Sequence, residues 1–314
     1  MASLVLGRLL LGAVTLLVAS LLVFAGTQAL PGDVTTAILG NEATPETRAA
    51  LVERLGLDHP IHVQYFEWAG RFLRGDLGLS LVNDVPVSRL LDLRLKNTFI
   101  LALATIIVVV PLSLFLGLLC AAYPNGRLDS SISVVSLFLI SLPEFLVGII
   151  LVLLFAVYWS VLPATSISGF RSFEHLVRAL VLPVLTLTFA ILAHMVRMTR
   201  AAMLEVMRAP YIEMALLKGA SRSRIVLRHA LPNALGPIIN VIALNLGYLI
   251  SGVVVVEVIF AYPGLGKLLV EAIGNRDLPL LQAVALIMVA AYIVFTLLAD
   301  IVARLSNPRL RFKQ

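Results

Sequence analysis

The side chains able to do chemistry are few and scattered. Pro263-Gly264-Leu265-Gly266-Lys267 looks like a phosphate loop, whose backbone N–H groups would cradle a nucleotide. Such a loop needs Gly five positions before the Gly-Lys pair and Ser or Thr after it; Ala261 and Leu268 stand there. The five histidines (His59, His62, His175, His194, His229) are dispersed and no His-Glu-x-x-His run exists. His59 and His62 have a spacing that could touch a metal, but read as ordinary surface residues. No Gly-x-Ser-x-Gly nucleophile turn occurs. The single cysteine, Cys120, excludes a disulfide framework and a cysteine metal cluster. The chain therefore reads as non-enzymatic, without a catalytic residue, metal or cofactor of its own. One ionisable group stands out: Glu144, beside Pro143 in a long apolar run. A carboxylate at membrane depth is a candidate for a transport pathway, suited to a peptide amine or a cation; otherwise it is structural, satisfied by nearby backbone. Pro143, and Asn240 and Asn245 in another apolar run, are pathway candidates with it, the two asparagines also as candidates for bonds between helices.

These residues must be placed by helices in lipid. Of 314 residues, 60% are apolar and 13% charged, where a soluble domain averages about 45–50% and about 25%. The apolar residues form unbroken runs that do not alternate, which excludes a transmembrane barrel. Crossing the hydrocarbon takes about 20 apolar residues in a helix, and six segments qualify: 9–29, 98–122, 131–160, 177–196, 234–260 and 280–303. The first is too long for a signal-peptide core and is followed by no small-x-small cleavage site, so it reads as a retained span. The third is too long for one straight crossing. Pro143 divides it, leaving either a tilted, kinked helix or a discontinuous one lining a wet path.

Charge sets the orientation. Residues 197–228 hold seven bases (Arg197, Arg200, Arg208, Lys218, Arg222, Arg224, Arg228) against Glu205 and Glu213. The tail adds Arg304, Arg309, Arg311 and Lys313 with no acid, whereas 31–97 carries nine acids and seven bases. The positive-inside rule then puts both termini and 197–228 in the cytoplasm and 31–97 outside. The formal charge of +6 accordingly bears on membrane orientation, and no nucleic-acid partner is expected. The chain divides into the N-terminus and first span (1–30), an external, partly helical loop (31–97), a five-helix core (98–306) and a basic tail (307–314). In the loop, Thr44-Pro45-Glu46 starts a helix stopped by Gly56. A second follows Asp58-His59-Pro60 and ends near Gly75, with Phe66, Ala69, Phe72 and Leu73 on its apolar face.

Residues 197–233 are the most informative stretch. They read as short helices: one over Met203–Arg208, one over Tyr211–Lys218 ended by Gly219, and one capped by Ser221 that stops at Pro232. Such amphipathic pieces either lie on lipid headgroups or fit a groove on a soluble partner. Glu213-Met214-Ala215-x-x-x-Gly219, with Leu231-Pro232 following, resembles the coupling motif of ABC importer permeases. Further matching stretches are Leu30-Pro31-Gly32-Asp33, Leu55 to Pro60 with Gln64-Tyr65, Gly75-Asp76-Leu77-Gly78, Asn97-Thr98, His229 to Ala234, Glu257 to Phe260, Pro263 to Gly266 and Arg276-Asp277. In that order they resemble the dipeptide/oligopeptide/nickel permease family, in particular the subunit with a large loop after its first span. Met214 replaces the motif's alanine, and Pro210 stands where this branch often has an acid.

The resemblance implies an all-α polytopic permease of the type I importer fold in the bacterial cytoplasmic (inner) membrane, importing dipeptides, oligopeptides or a related solute. A second permease, two ATPases carrying ATP and Mg, an external binding protein and membrane lipid would be its partners. Coupling helices within 200–231 would meet the ATPases through Tyr211, Glu213, Ala215, Lys218, Gly219, Ser221 and Arg222. Small Ala215 would let the helix approach its partner. Asp58, His59, Gln64, Tyr65, Asp76, Arg276 and Asp277 are candidates for docking the binding protein. Glu257 would anchor the outer end of the fifth span. The alternative from another class is an ion-gradient-driven carrier, for which Glu144 is the one hint.

Overall fold

The computed structural model describes residues 2–29, 58–166 and 172–305, with 44–47, 49 and 52. Thr44 caps the start of the first loop helix, accepting the Thr47 N–H at 3.3 Å. Its stop at Gly56, the Leu30–Asp33 stretch and the tail from 306 lie outside the described residues. Ten helices of eight residues or more are described: α1 (Ala2–Gln28), α2 (Ile61–Leu73), α3 (Val87–Ala122), α4 (Arg127–Ser141), α5 (Glu144–Val152), α6 (Phe173–Met207), α7 (Pro210–Leu217), α8 (Leu231–Ile259), α9 (Leu265–Gly274) and α10 (Leu278–Leu305). Among the described residues, five helical stretches are long and apolar enough to cross a membrane, and the bent α4–α5 pair, counted as one span, makes a sixth. The residues divide into two compact units, 1–98 with 263–293 and 99–262 with 294–314.

In the first unit, α1 is apolar all round and most of its leucines are exposed, as suits a helix bathed in lipid. Gly12 lets it pass close to Ile293 of α10; a Cβ there would lie 2.8 Å from that side chain. Pro60 starts α2, and Gly75, at φ +81°, follows its end. Its packed face is rotated from the expected one. Tyr65 and Trp68 meet Phe24 of α1 at 5.4 and 5.6 Å between ring centroids, while Phe66 and Leu73 are exposed. Two apolar stripes overlap on this helix, and aromatic contact selects one. The core of the unit joins Val87 and Leu91 of α3, Leu265, Leu268 and Ala272 of α9, and Leu280 to Val284 of α10.

The second unit is built around α6, which carries 16 buried residues. It packs against α4, α5 and α8. Gly117 of α3 abuts Thr199, which a Cβ would meet at 2.7 Å. Continuity is decided at Pro143, where two readings stood open, and departs from expectation at two other places. The third apolar segment is broken: Leu142 and Pro143 are extended and α4 and α5 diverge by 99°. The separate helix expected at Met203–Arg208 is the end of α6, because no Gly or Pro interrupts residues 197–207. Nor does Pro232 stop a helix. It lies in the first turn of α8, where its missing N–H is tolerated, after a wide π turn over Ile225–Ala230.

Candidate functional site

Two places in the second unit combine exposed or unsatisfied groups with defined geometry. The first is the bend from Arg208 to Leu231. Pro210 opens α7, its fixed φ suited to a first helical position. At the other end Gly219 takes φ +77°. Its N–H bonds to Leu216 O at 2.9 Å and that of Ala220 to Ala215 O at 3.1 Å, the paired bonds of a Schellman stop. One face of α7 rests on the unit's own core through Ile212, 4% exposed, and half-buried Ala215. Tyr211, Met214 and Leu217 lie exposed on the helix, with Glu213 and Lys218 exposed beside them. Ala215 thus packs inward, and the outward face consists of larger side chains. Ser221 precedes the next turn but its hydroxyl caps no backbone N–H, and Arg222 sets its guanidinium 5.5 Å from the Tyr123 ring centroid.

The second place is the break itself. Glu144 follows Pro143 as the first residue of α5. Its Oε1 is buried and makes no hydrogen bond among the described residues. The carboxylate lies against Gly252 of α8, where a Cβ would come within 3.0 Å of both its oxygens. Asn245 is buried and donates within its own helix, Nδ2 to Val241 O at 2.8 Å. Asn240 is exposed, as are Leu244, Tyr248 and Ser251 farther along α8. Glu257 is fully buried near Tyr262, whose hydroxyl is pushed up in pKa by burial and by the Glu257 charge.

The sequence matches the family of binding-protein-dependent transport system inner membrane components over residues 113–312. The family's N-terminal model matches residues 1–102. The chain belongs to this family. It is 38% identical to a probable peptide ABC transporter permease protein of Sinorhizobium fredii, over 90% of each chain. It is 36% identical to a glutathione transport system permease protein of Salmonella paratyphi A, over 100% of each. To an oligopeptide transport system permease protein of Bacillus subtilis it is 34% identical, over 99% of this chain and 100% of that one. Among solved structures, a chain from inward-facing crystals of the MetNI methionine ABC transporter shares the fold. Its TM-score is 0.52 at 18% identity, covering 68% of this chain and 92% of that one. The protein is therefore a multi-pass ABC importer permease of the bacterial inner membrane, and the ion-gradient carrier is set aside.

The docking candidates of the permease lie in its first unit and fall into two groups. Asp58 and His59 are exposed, with His59 3.6 Å from Glu67. Asp76 is exposed too, and its Oδ1 accepts the Gly78 N–H at 3.0 Å, shaping the turn. Three of the others have side-chain partners within the unit. Tyr65 shares a 2.9 Å hydrogen bond with Ser20, and Gln64 accepts from Gln28 at 2.9 Å. Arg276 holds a left-handed turn at φ +55°. Asp277, only 1% exposed, accepts from the Ser80 hydroxyl and from Leu81 N–H at 3.1 Å. Beside it, Asn97 donates to Pro263 O at 2.8 Å, and the Leu265 N–H donates to Thr98 at 2.8 Å. The helix these contacts hold, α9, escaped the sequence reading. Leu265, Leu268 and Ala272 recur at helical spacing behind Pro263-Gly264, a signal masked by the resemblance of that stretch to a phosphate loop.

Proposed function

We propose that this permease forms a pathway with a second, similar permease subunit and takes short peptides, or a related small solute such as glutathione, from an external binding protein. Two ATPase subunits, which hold ATP and Mg, drive it from the cytoplasmic side. Both termini and the α7 bend face the cytoplasm on this reading, as the basic residues of 197–228 favour. The substrate class follows the names of the three relatives, each a peptide, glutathione or oligopeptide permease.

The observation that carries the reading is the two-faced α7. Ile212 and Ala215 hold it to the permease, while Tyr211, Met214 and Leu217 stand clear. An apolar crest on a short helix, backed by its own core, suits a groove on a partner. Closure of the ATPases would displace α7, and α6 and α8, which flank it, would act as levers. In the pathway, Glu144 would face a cationic group of the solute, with Pro143 providing the break that presents it. Asp58, His59 and Asp76 would contribute to the docking face for the binding protein.

The test is reconstitution of the chain with its partners, followed by uptake of labelled dipeptide, oligopeptide and glutathione, with cross-linking from Met214→Cys to the ATPases. ATP-dependent uptake and a cross-link on the ATPase are expected. Uptake by this chain alone on an ion gradient, or Met214→Cys reacting only with lipid, would overturn the reading.

A further inference from the structure

The flanks of α7 are tied to one turn of the chain that plays no part in the function as described so far. Arg200 lies on α6, seven residues before its end at Met207. Its guanidinium makes a two-point bond to Asp129, Nε to Oδ1 at 2.6 Å and Nη2 to Oδ2 at 2.7 Å. Asp129 is 3% exposed and stands in the first turn of α4. Its Oδ2 also accepts the Asn125 N–H at 2.8 Å, holding Asn125 at φ +60°. On the far side of α7, three residues beyond Gly219, Arg222 covers the ring of Tyr123. One cation before the bend and one after it thus grip the same turn, 123–129. From that turn α4 runs 15 residues to Ser141, about 22 Å at helical rise, and ends at the break that seats Glu144.

We propose that Asp129, Arg200 and Arg222 are positioning residues that make α4 move with the coupling bend, so that a displacement of α7 reaches the Pro143 break through α4. A bidentate guanidinium–carboxylate pair fixes angle as well as distance, so a tilt of α6 is imposed on the start of α4. A single-point contact would let α4 swivel. The proposal rests on the reading of α7 as the element that meets the ATPases.

The experiment uses the transporter assembled with its ATPases in lipid discs. Spin labels replace exposed Phe138 on α4 and Leu244 on α8, and the interlabel distance is compared without nucleotide and after trapping with ATP and vanadate. With the pair intact, α4 follows the bend and the distance distribution stays in place on trapping. Asp129→Asn should make it shift, because α4 lags, and Arg200→Lys should do the same. Combining Asp129→Arg with Arg200→Asp should restore the parent behaviour. If Asp129→Asn fails to assemble, Tyr123→Leu, at a half-exposed site, is expected to give a smaller shift in the same direction. A distribution that responds identically in parent and variants overturns the proposal, even if the variants melt earlier, since the pair then serves only stability. The Met214→Cys cross-link distinguishes the two levels. If it forms while the variants behave as the parent, the α4 transmission alone is wrong; if it never forms, the coupling reading fails and this proposal with it.

Discussion

The α7 bend and the 263–277 segment are both marked by family-like motifs, and both are short helices stopped by turns, yet they spend their side chains in opposite ways. Around 263–277 the motif residues point inward. Asp277 is consumed by Ser80 and Leu81, Pro263 O by Asn97, and Leu265, Leu268 and Ala272 are buried. On α7, Ile212 alone is buried and the crest of Tyr211, Met214 and Leu217 is exposed. A motif whose polar groups are satisfied inside its own unit is scaffold. One that leaves large apolar side chains uncovered on a rigid backing is, on the function proposed above, a contact. Both motifs match the family, yet burial and partnering differ between them.

The sharpest way to break this comparison is at Asp277. Asp277→Ala removes the acceptor of the Ser80 hydroxyl and the Leu81 N–H in a buried site and leaves those donors unpaired. Loss of charge-assisted bonds with stranded donors costs about 3 kcal/mol, so a lower melting temperature and less assembled protein are expected. Normal melting together with loss of binding-protein affinity would instead make Asp277 a docking residue. The matching test on α7 is Leu217→Asp. Leu217 is 75% exposed, so stability should change by no more than about 0.5 kcal/mol. Burial of a leucine at an interface is worth about 1.5–3 kcal/mol, so ATP-driven uptake should fall by roughly tenfold to a hundredfold with cross-linking from α7 correspondingly reduced. A destabilised but fully coupled Leu217→Asp would reverse the assignment of scaffold and contact.

Gly219→Val sharpens the same point from the backbone. Nothing lies within 4 Å of the added Cβ, so crowding is not the issue; the left-handed φ is, at about 1–2 kcal/mol. Assembly should persist, because the α7 core contacts through Ile212 remain, while stimulation of the ATPases by loaded binding protein drops. Full stimulation in this variant would mean that the Schellman turn does not fix the position of α7.

The spans, the Gly219 stop and the helix after Pro60 were legible because apolar run length, proline and glycine act locally. What stayed hidden depends on the third dimension. Periodicity admits both Phe66–Ala69–Leu73 and Tyr65–Trp68–Phe72 as the packed stripe of α2, and only Phe24 on α1 decides between them. The residues 197–207 look like a membrane edge in composition, yet α6 runs on because helix propensity does not stop where hydropathy does. Pro232 reads as a terminator only if the preceding carbonyls are held in α geometry, and the π turn over 225–230 releases them. Asp277 and Gln64 look like surface groups in a polar loop, and their burial or engagement comes from partners 197 and 36 residues away. The two-point bond of Arg200 to Asp129 likewise joins residues 71 apart, a distance at which one sequence carries no pairing signal.

The smallest effect is expected at the broken span, where scaffold and contact meet in one residue. A methyl group at position 252 would come within 3.0 Å of both Glu144 oxygens, and the far end of a flexible carboxylate can give way. Gly252→Ala should therefore change stability by no more than about 1 kcal/mol while turning Glu144 off α8. If that carboxylate reads charge on the solute, the preference among dipeptides with cationic and neutral side chains should move on the order of threefold, equivalent to about 0.7 kcal/mol. Glu144→Gln should move it in the same direction without weakening the α7 cross-link. Because Gly252→Ala keeps the charge and Glu144→Gln keeps the shape, a shift in one variant only separates position from ionisation. An unchanged preference in both, across a panel of labelled peptides, would return Glu144 to the scaffold side of the comparison.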